Sequence, residues 1–476
     1  MNSFAAVIER VNGKVNGFAW GPVMLALLVG TGVYLSIRTR FITVRRFGYI
    51  MRHTIGTVFK RRAENKKDND ANVSPFQAMT TALAGTVGTG NIAGVTGALF
   101  AGGPGAVFWM WVSAFFGMCT KYSEIALSLK YREKDGSGRY RGGPMYYITN
   151  GLGRGWRWLA VIFALFGGLA SFGIGNISQS SEISGAMKNL TGLRPIVTGV
   201  ILAAAVGAVT AGGVRRIGAV TSYLVPCMSV FYILCGLAVI IMRIEEVPSV
   251  FGKILEGAFS LRSVGGGIFG YGITKAMRQG VARGVFSNEA GLGSAPIAHA
   301  ASSAEEPVEQ AMWGVFEVFA DTVVMCTITA FAVILSGVLD AEGGLEAFDS
   351  AGAAAAKAFN TILPGTAGGT LIQISLIFFA FSTILSWGYY GQSCWAYISN
   401  NSRMVGSAYK AVFIFACAAG ASGSGTLMWN IADTLNGLMA LPNLVALIPL
   451  AGVTARLTGD YFSSGRLRDS TGGSGK

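Results

Sequence analysis

The sequence predicts an all-α polytopic membrane protein. It would hold a five-plus-five inverted-repeat core in which each half opens on a discontinuous helix, plus one extra N-terminal transmembrane helix, eleven spans in all. Three observations predict this. The 476-residue chain is 52% hydrophobic and only 13% charged, against about 25% charged residues in a soluble domain. It therefore lacks the polar surface to cover a water-soluble body of its size. The basic excess, 37 Lys and Arg against 24 Asp and Glu, gathers on alternate loops between apolar stretches. Two of those stretches are interrupted in their interior by glycines and polar residues.

A span needs ~20 mostly apolar residues. Phe18 to Ile37 is the first such run, and a basic, amphipathic stretch from Phe41 to Phe59 follows it, suited to the membrane surface. Pro75 to Phe100 and Ala106 to Leu129 are the next two spans. Trp158 to Ser180, the short Ile196 to Thr210 and Ile217 to Met242 complete the first half. Val264 to Ala301 reads as one long interrupted segment. Ala311 to Leu335, Leu371 to Tyr397, Ser407 to Gly420 and Thr426 to Val453 follow, the last carrying Pro442 and Pro449 and divisible into two. The organisation is then a peripheral transmembrane helix at 1–37, a basic cytoplasmic segment at 38–72 and a first repeat at 73–242. An extracytoplasmic loop at 243–263, a second repeat at 264–456 and a cytoplasmic tail at 457–476 complete it.

Orientation follows from the positive-inside rule. Ten Lys and Arg lie between Arg38 and Lys67, and further basic residues lie on Lys130–Arg157, at Arg215 and Arg216, at Arg403 and Lys410, and at Arg456, Arg466 and Arg468. These loops should be cytoplasmic. The acidic loop Ser336–Asn360 should be outside, which gives an N-terminus outside and a C-terminus inside a cell (inner) membrane. The net charge of +13 is explained by these loops and calls for no nucleic acid. Six scattered cysteines without a C-x-x-C read as small buried hydrophobes, and two distant histidines make no metal site. The chain has no phosphate-binding G-x-x-x-x-G-K-[ST], so transport driven by its own ATPase is excluded. No Ser, His, Cys or carboxylate cluster suggests an enzyme, and no cofactor is implied.

The first interruption is Gly85-Thr86-Val87-Gly88-Thr89-Gly90-Asn91. Glycine weakens a helix by ~1 kcal/mol relative to Ala. Close helix packing would explain one or two small residues, but this density favours an unwound stretch. The second, Gly280 to Pro296, places Arg283, Asn288 and Glu289 within a crossing segment, where charge costs several kcal/mol unless it is paired or wet. Each interruption opens a run of five spans, and an odd number per half forces opposite topology on the halves. That is the pattern of secondary transporters, in which broken helices offer amide dipoles and carbonyls near the midplane.

The run Gly102-Gly103-Pro104-Gly105-Ala106-Val107-Phe108-Trp109-Met110-Trp111-Val112-Ser113-Ala114-Phe115-Phe116-Gly117 closely resembles the signature of the sodium:alanine symporter family. Gly142-Gly143-Pro144-Met145-Tyr146-Tyr147, Gly173-Ile174-Gly175-Asn176 and Ser287-Asn288-Glu289-Ala290-Gly291 match it as well, and the resemblance covers roughly residues 15 to 460. It implies the fold of amino-acid/polyamine/organocation transporters and uptake of alanine or glycine coupled to sodium, by alternating access. The sodium ion and the lipid bilayer are then the other partners. Proton coupling on the same fold is the alternative, and a channel is a more distant one. The sequence does not give the oligomeric state.

The resemblance also implies a site. The amides of Thr89 and Gly90 would receive the substrate carboxylate, and Asn91 would order the turn. Sodium would take the carbonyls of Ala84, Val87 and Phe379 and the hydroxyls of Ser382 and Thr383, hard oxygen ligands for a hard cation. Trp387, one turn beyond Thr383, would bound the side-chain pocket. Gln179 would face the site, and Gly291 and Gly293 would offer backbone to the substrate amine. Among other ionisable groups, Lys121 and Glu124 are one turn apart and read as a local ion pair. Glu317 and Asp321 share a helix face and read as partners of Lys275, Arg278 or Arg283 in a gate or structural pair, with a proton or cation station as the alternative. Glu289 and Asp433 receive no role.

Overall fold

The computed structural model describes residues 3–58, 72–259, 271–423 and 426–463. The basic stretch at 59–71, the start of the interrupted segment at 264–270 and the tail at 464–476 lie outside the described residues. Helices dominate, and the one sheet among the described residues is an antiparallel pair, Glu133–Lys134 with Tyr140–Arg141.

The first predicted span is part of a two-helix entry, α1 (Ser3–Ala19) and α2 (Pro22–Arg38). The break falls at Gly21-Pro22, where a proline occupies the first turn of α2. A short α3 (Ile42–Arg45) and α4 (Phe47–Val58) lead to α5 (Pro75–Thr86). A capping box starts α5: Gln77 N–H donates to Ser74 Oγ at 3.2 Å, and Ser74 N–H donates to Gln77 Oε1 at 3.1 Å. The helix stops at Val87 and resumes as α6 (Ala93–Gly102), and α7 (Gly105–Lys130) follows. Then come α8 (Pro144–Gly151), α9 (Arg157–Phe172), a π-helical turn at Gly173–Ile177, α10 (Ser178–Thr191), α11 (Pro195–Thr210) and α12 (Gly213–Met242).

Three helices fall in stretches that the sequence reads as loops: α8, α13 (Val247–Phe259) and, later, α18 (Ala351–Ile362). The second interruption is narrower than Gly280–Pro296. Helix α14 (Tyr271–Asn288) runs on to Asn288, and only Glu289–Ser294 is irregular before α15 (Ala295–Ala300). Helix α16 (Pro307–Val318) passes through a π-helical Phe319–Cys326 into α17 (Thr327–Leu335). The chain ends with α19 (Ala367–Ile398), α20 (Arg403–Ser422) and α21 (Thr426–Ser463). The last is one 38-residue helix that contains both Pro442 and Pro449, longer than the span ending at Val453.

Among the described residues, seven helical stretches are long and apolar enough to cross a membrane, including Gly213–Met242 and Ala367–Ile398. The α5–α6 and α14–α15 segments are not among them: α5 and α6 are only 12 and 10 residues long, and the 18-residue α14 carries Lys275, Arg278 and Arg283. They are enclosed instead by α7, α16 and α19. Helix α14 lies on α7 through Gly280 and Gly284. A Cβ on either would come within 2.3 Å of Ala106 O or Ser113 Oγ, so this small-x-x-x-small pair sets the distance between the two backbones. Free backbone groups at each break thus face protein and not lipid. Four of the six cysteines are buried, whereas Cys227 is exposed on α12 and Cys235 is intermediate, so those two depart from the buried reading.

Candidate functional site

The first break places its backbone beside α19. Val87 and Gly88 are extended, and Thr89–Asn91 forms a single 3-10 turn. The Asn91 side chain closes this turn, its Oδ1 accepting from Gly88 N–H at 3.0 Å and its Nδ2 donating to Asp321 Oδ1 at 2.6 Å. The Asn91 carbonyl accepts from Thr329 Oγ1 at 2.7 Å. Among the described residues the amides of Thr89 and Gly90 donate to nothing, which leaves them facing outward from a turn with positive dipole.

Four oxygens meet where α5 ends. Ser382 Oγ donates to Phe379 O at 2.9 Å and lies 3.5 Å from Ala84 O. Thr383 Oγ1 lies 3.1 Å from Ala84 O and 2.9 Å from Phe379 O. All four residues are buried. The cluster therefore joins a carbonyl of the broken helix to a carbonyl and two hydroxyls of α19. The Val87 carbonyl, three residues beyond Ala84, accepts no hydrogen bond among the described residues. Among the described residues there is no group of three or more His, Cys, Asp or Glu suited to a metal. A cation here would rest on neutral oxygens.

A small cavity of about 20 Å³ adjoins this cluster, bounded by Gly88, Thr89, Gly90, Gln179, Thr383 and Trp387. That is room for about one water, so an amino acid enters only if Trp387 or Phe286, which also line it, move. The π-helical turn explains how Gln179 reaches in. Its Nε2 donates to Ile174 O at 3.0 Å, and its Oε1 accepts from Thr89 Oγ1 at 3.1 Å. Gly175 lies in the same turn because Trp387 packs on it: a Cβ there would sit 2.3 Å from Trp387 Cβ.

Of the residues singled out in the sequence, Ala84, Phe379, Ser382 and Thr383 are brought together, and Thr89, Gly90, Gln179, Thr383 and Trp387 share the cavity. Gly291 and Gly293 are not among them. They sit on the far side of the second break, where Gly291 faces Leu28 and Leu444 and Gly293 faces Pro144 and Asn443. Glu289, Phe286 and Asn436 line the cavity instead. Glu289 stood inside a matched motif but in no recognisable spacing. Asn436 is one of several polar residues on α21, beside Asn430, Asp433, Thr434 and Asn443, and no pattern in the sequence singles it out.

Lys121 does not pair with Glu124. Its ammonium, fully buried, lies 2.9 Å from Glu317 Oε2, 2.9 Å from Asn288 O and 3.1 Å from Thr86 Oγ1. These satisfy its three donors and join the ends of α5 and α14 to α16. Glu317 also meets His299 Nε2 at 2.7 Å, and so partners none of Lys275, Arg278 and Arg283. Asp321 holds Asn91, Ser287 and Thr322. Glu124 accepts from Asn443 Nδ2 at 2.5 Å.

Arg283 points at Asp433 across 3.9 Å, with 28% of its side chain exposed, in a second cavity that shares Phe286 with the first. Asp433 also accepts from Asn16 Nδ2 of α1 at 2.9 Å. A cysteine at Arg283 should therefore be labelled by a water-soluble maleimide in the intact protein. A thiol that stays inert in a folded, active variant would place this position in lipid.

The sequence profile of the sodium:alanine symporter family matches residues 5–471. The chain belongs to the sodium:alanine symporter family. The sodium/alanine symporter AgcS of Methanococcus maripaludis is 45% identical over 95% of this chain and 96% of its own. The probable sodium/glutamine symporter GlnT of Bacillus subtilis is 34% identical over 96% and 91%. Among solved structures, MhsT in complex with L-phenylalanine superposes with a TM-score of 0.56 at 13% identity, covering 82% of this chain and 99% of that one. That likeness is one of fold. This symporter-family member is a multi-pass membrane transporter, and its family is one of transporters, not enzymes.

Proposed function

We propose that this chain is a secondary active symporter that takes up small neutral amino acids, alanine and glycine, with sodium. The observation that carries this is the cluster of Ala84 O, Phe379 O, Ser382 Oγ and Thr383 Oγ1 beside the unwound turn. Sodium replaces the two hydroxyl protons as the partner of the carbonyl oxygens and takes lone pairs of both hydroxyls, with the Val87 carbonyl as a fifth ligand. Bound there, it ties the broken helix to α19. The amides of Thr89 and Gly90 receive the substrate carboxylate, Asn91 fixes their turn and Gln179 braces Thr89. Trp387 limits the space beside the α-carbon to hydrogen or methyl.

We infer an architecture of eleven spans to go with this reading, two inverted five-span repeats after an N-terminal helix, with the N-terminus outside and the C-terminus in the cytoplasm. Rocking of one set of helices against the other then exposes the site alternately to each side.

Reconstituted vesicles test the reading. Labelled alanine should accumulate when sodium, but not potassium, is imposed outside. Ser382→Ala and Thr383→Ala should each raise the sodium concentration for half-maximal uptake by about tenfold, since a lost hard ligand in a buried site costs on the order of 1–2 kcal/mol. A proton gradient that drives uptake without sodium would replace sodium as the coupling ion. Unchanged sodium dependence in both variants would remove these hydroxyls from the site.

A further inference from the structure

The cavity contains one ionisable side chain that the reading above leaves unused. Glu289 is 2% exposed and sits at the first irregular residue of the second break with φ of +56°. That left-handed conformation is disfavoured for a long side chain, and its retention calls for a reason. Its Oε2 accepts from Ser294 Oγ at 2.7 Å, a bond inside the break that fixes the carboxylate. Among the described residues it has no ion pair. The nearby ammonium of Lys121 is already saturated by Thr86, Asn288 and Glu317. A lone carboxylate at this depth is costly. A second buried polar group lines the same space: Asn436 is 2% exposed, and its Oδ1 has no hydrogen-bond partner among the described residues. The cavity thus has outward amides on one wall, at Thr89 and Gly90, and a carboxylate with an orphan amide oxygen on the others. A zwitterion presents the complementary charges.

We propose that Glu289 and Asn436 together form the subsite for the α-ammonium group of the substrate and so restrict transport to primary amines. The proposal rests on the amino-acid reading of this cavity. The substrate's ammonium replaces the missing counter-ion of Glu289, and the Asn436 carbonyl takes a second of its protons. The pair discriminates against 2-hydroxy acids, which keep the carboxylate and the methyl group but carry a neutral hydroxyl in place of the amine. An unmatched buried charge rejects such an analogue strongly.

The test compares alanine with lactate on the purified full chain, through the rise in unfolding midpoint that each causes in the presence of sodium. In Glu289→Gln the apparent affinity for alanine should fall by about 30-fold or more, as when one partner of a buried charge pair is removed. That for lactate should not fall and should rise, because the unmatched charge that rejects it is gone. Asn436→Ser should show the same asymmetry at about fivefold. Stabilisation by sodium alone should survive in both variants, which certifies their fold. If Glu289→Gln does not survive purification, Glu289→Asp and Asn436→Ser carry the comparison. Equal losses for the two ligands, or no loss, would overturn the subsite. A wild-type protein that responds to a different amino acid overturns the substrate named above, but the subsite is then tested by that amino acid and its own 2-hydroxy analogue.

Discussion

Lys121→Met is expected to lower the unfolding midpoint of the purified protein by on the order of 5–15 °C. The substitution keeps the length and apolar stem of the side chain and removes only the ammonium. Glu317 Oε2, Asn288 O and Thr86 Oγ1 then lose a shared donor in a fully buried place. Removing one partner of a buried ion pair costs ~3–5 kcal/mol, because the charge left behind has no water to turn to. Removing both costs far less, so Lys121→Met/Glu317→Leu should recover most of the midpoint. Transport should stay low in both variants, since the ammonium also ties the end of α5 to the end of α14, and these are the two segments that must keep their breaks in register. Differential scanning of the three proteins in one detergent measures this. A single variant that melts with the wild type would show that the pair contributes nothing to the fold.

The reach of the sequence can be judged from this same cluster. The first break was legible, because Gly85, Gly88 and Gly90 with Asn91 are a density of helix breakers that lipid does not tolerate without enclosure. The second was legible in place but not in extent. Glycines 280 and 284 there mark a helix contact with α7, and only Glu289–Ser294 departs from helix. The pairing of Lys121 was misread because spacing reports only neighbours on one helix, and Glu124 stands one turn away. Glu317 is distant in sequence and becomes a neighbour only when α16 packs on α7. The helices α13 and α18 were hidden for another reason. Charge was read as loop, whereas Ala351–Ile362 is an alanine-rich helix capped by Ser350, whose Oγ accepts from Ala353 N–H at 3.1 Å.

The site shows the same division. The oxygens of Ala84, Phe379, Ser382 and Thr383 lie within two short segments, so a motif on each locates them. Glu289 and Asn436 come from segments with no shared pattern, and only the folded chain sets them around one cavity.

Asn91→Asp is expected to abolish substrate uptake, and exchanging the pair should bring part of it back. Asn91 is the hinge of the first break: its Oδ1 holds Gly88 N–H and its Nδ2 holds Asp321 Oδ1 at 2.6 Å. An aspartate keeps the acceptor for Gly88 but turns the donor into a second carboxylate oxygen facing Asp321. Two unit charges ~4 Å apart repel by about 4 kcal/mol at an effective dielectric of about 20. That exceeds the ~1 kcal/mol net worth of the hydrogen bond that is kept, so the turn presenting Thr89 and Gly90 opens. Asn91→Ala loses both bonds without the repulsion and should be impaired less than Asn91→Asp. In Asn91→Asp/Asp321→Asn the amide donor sits on α16's continuation and the carboxylate on the break, so the same contact forms with the roles reversed. Thr322 Oγ1 can still donate to the amide oxygen at position 321, as it does to Asp321 Oδ2 at 2.8 Å, while Ser287 Oγ, which donates to Asp321 Oδ1, turns to accept from the amide nitrogen that takes that place. Uptake in the double variant should recover to at least about a tenth of the wild-type rate, against background for Asn91→Asp alone. Initial rates of labelled alanine uptake, normalised to protein in the vesicles, decide the matter. An active Asn91→Asp, or a double variant no better than it, would mean that this pair does not hold the turn.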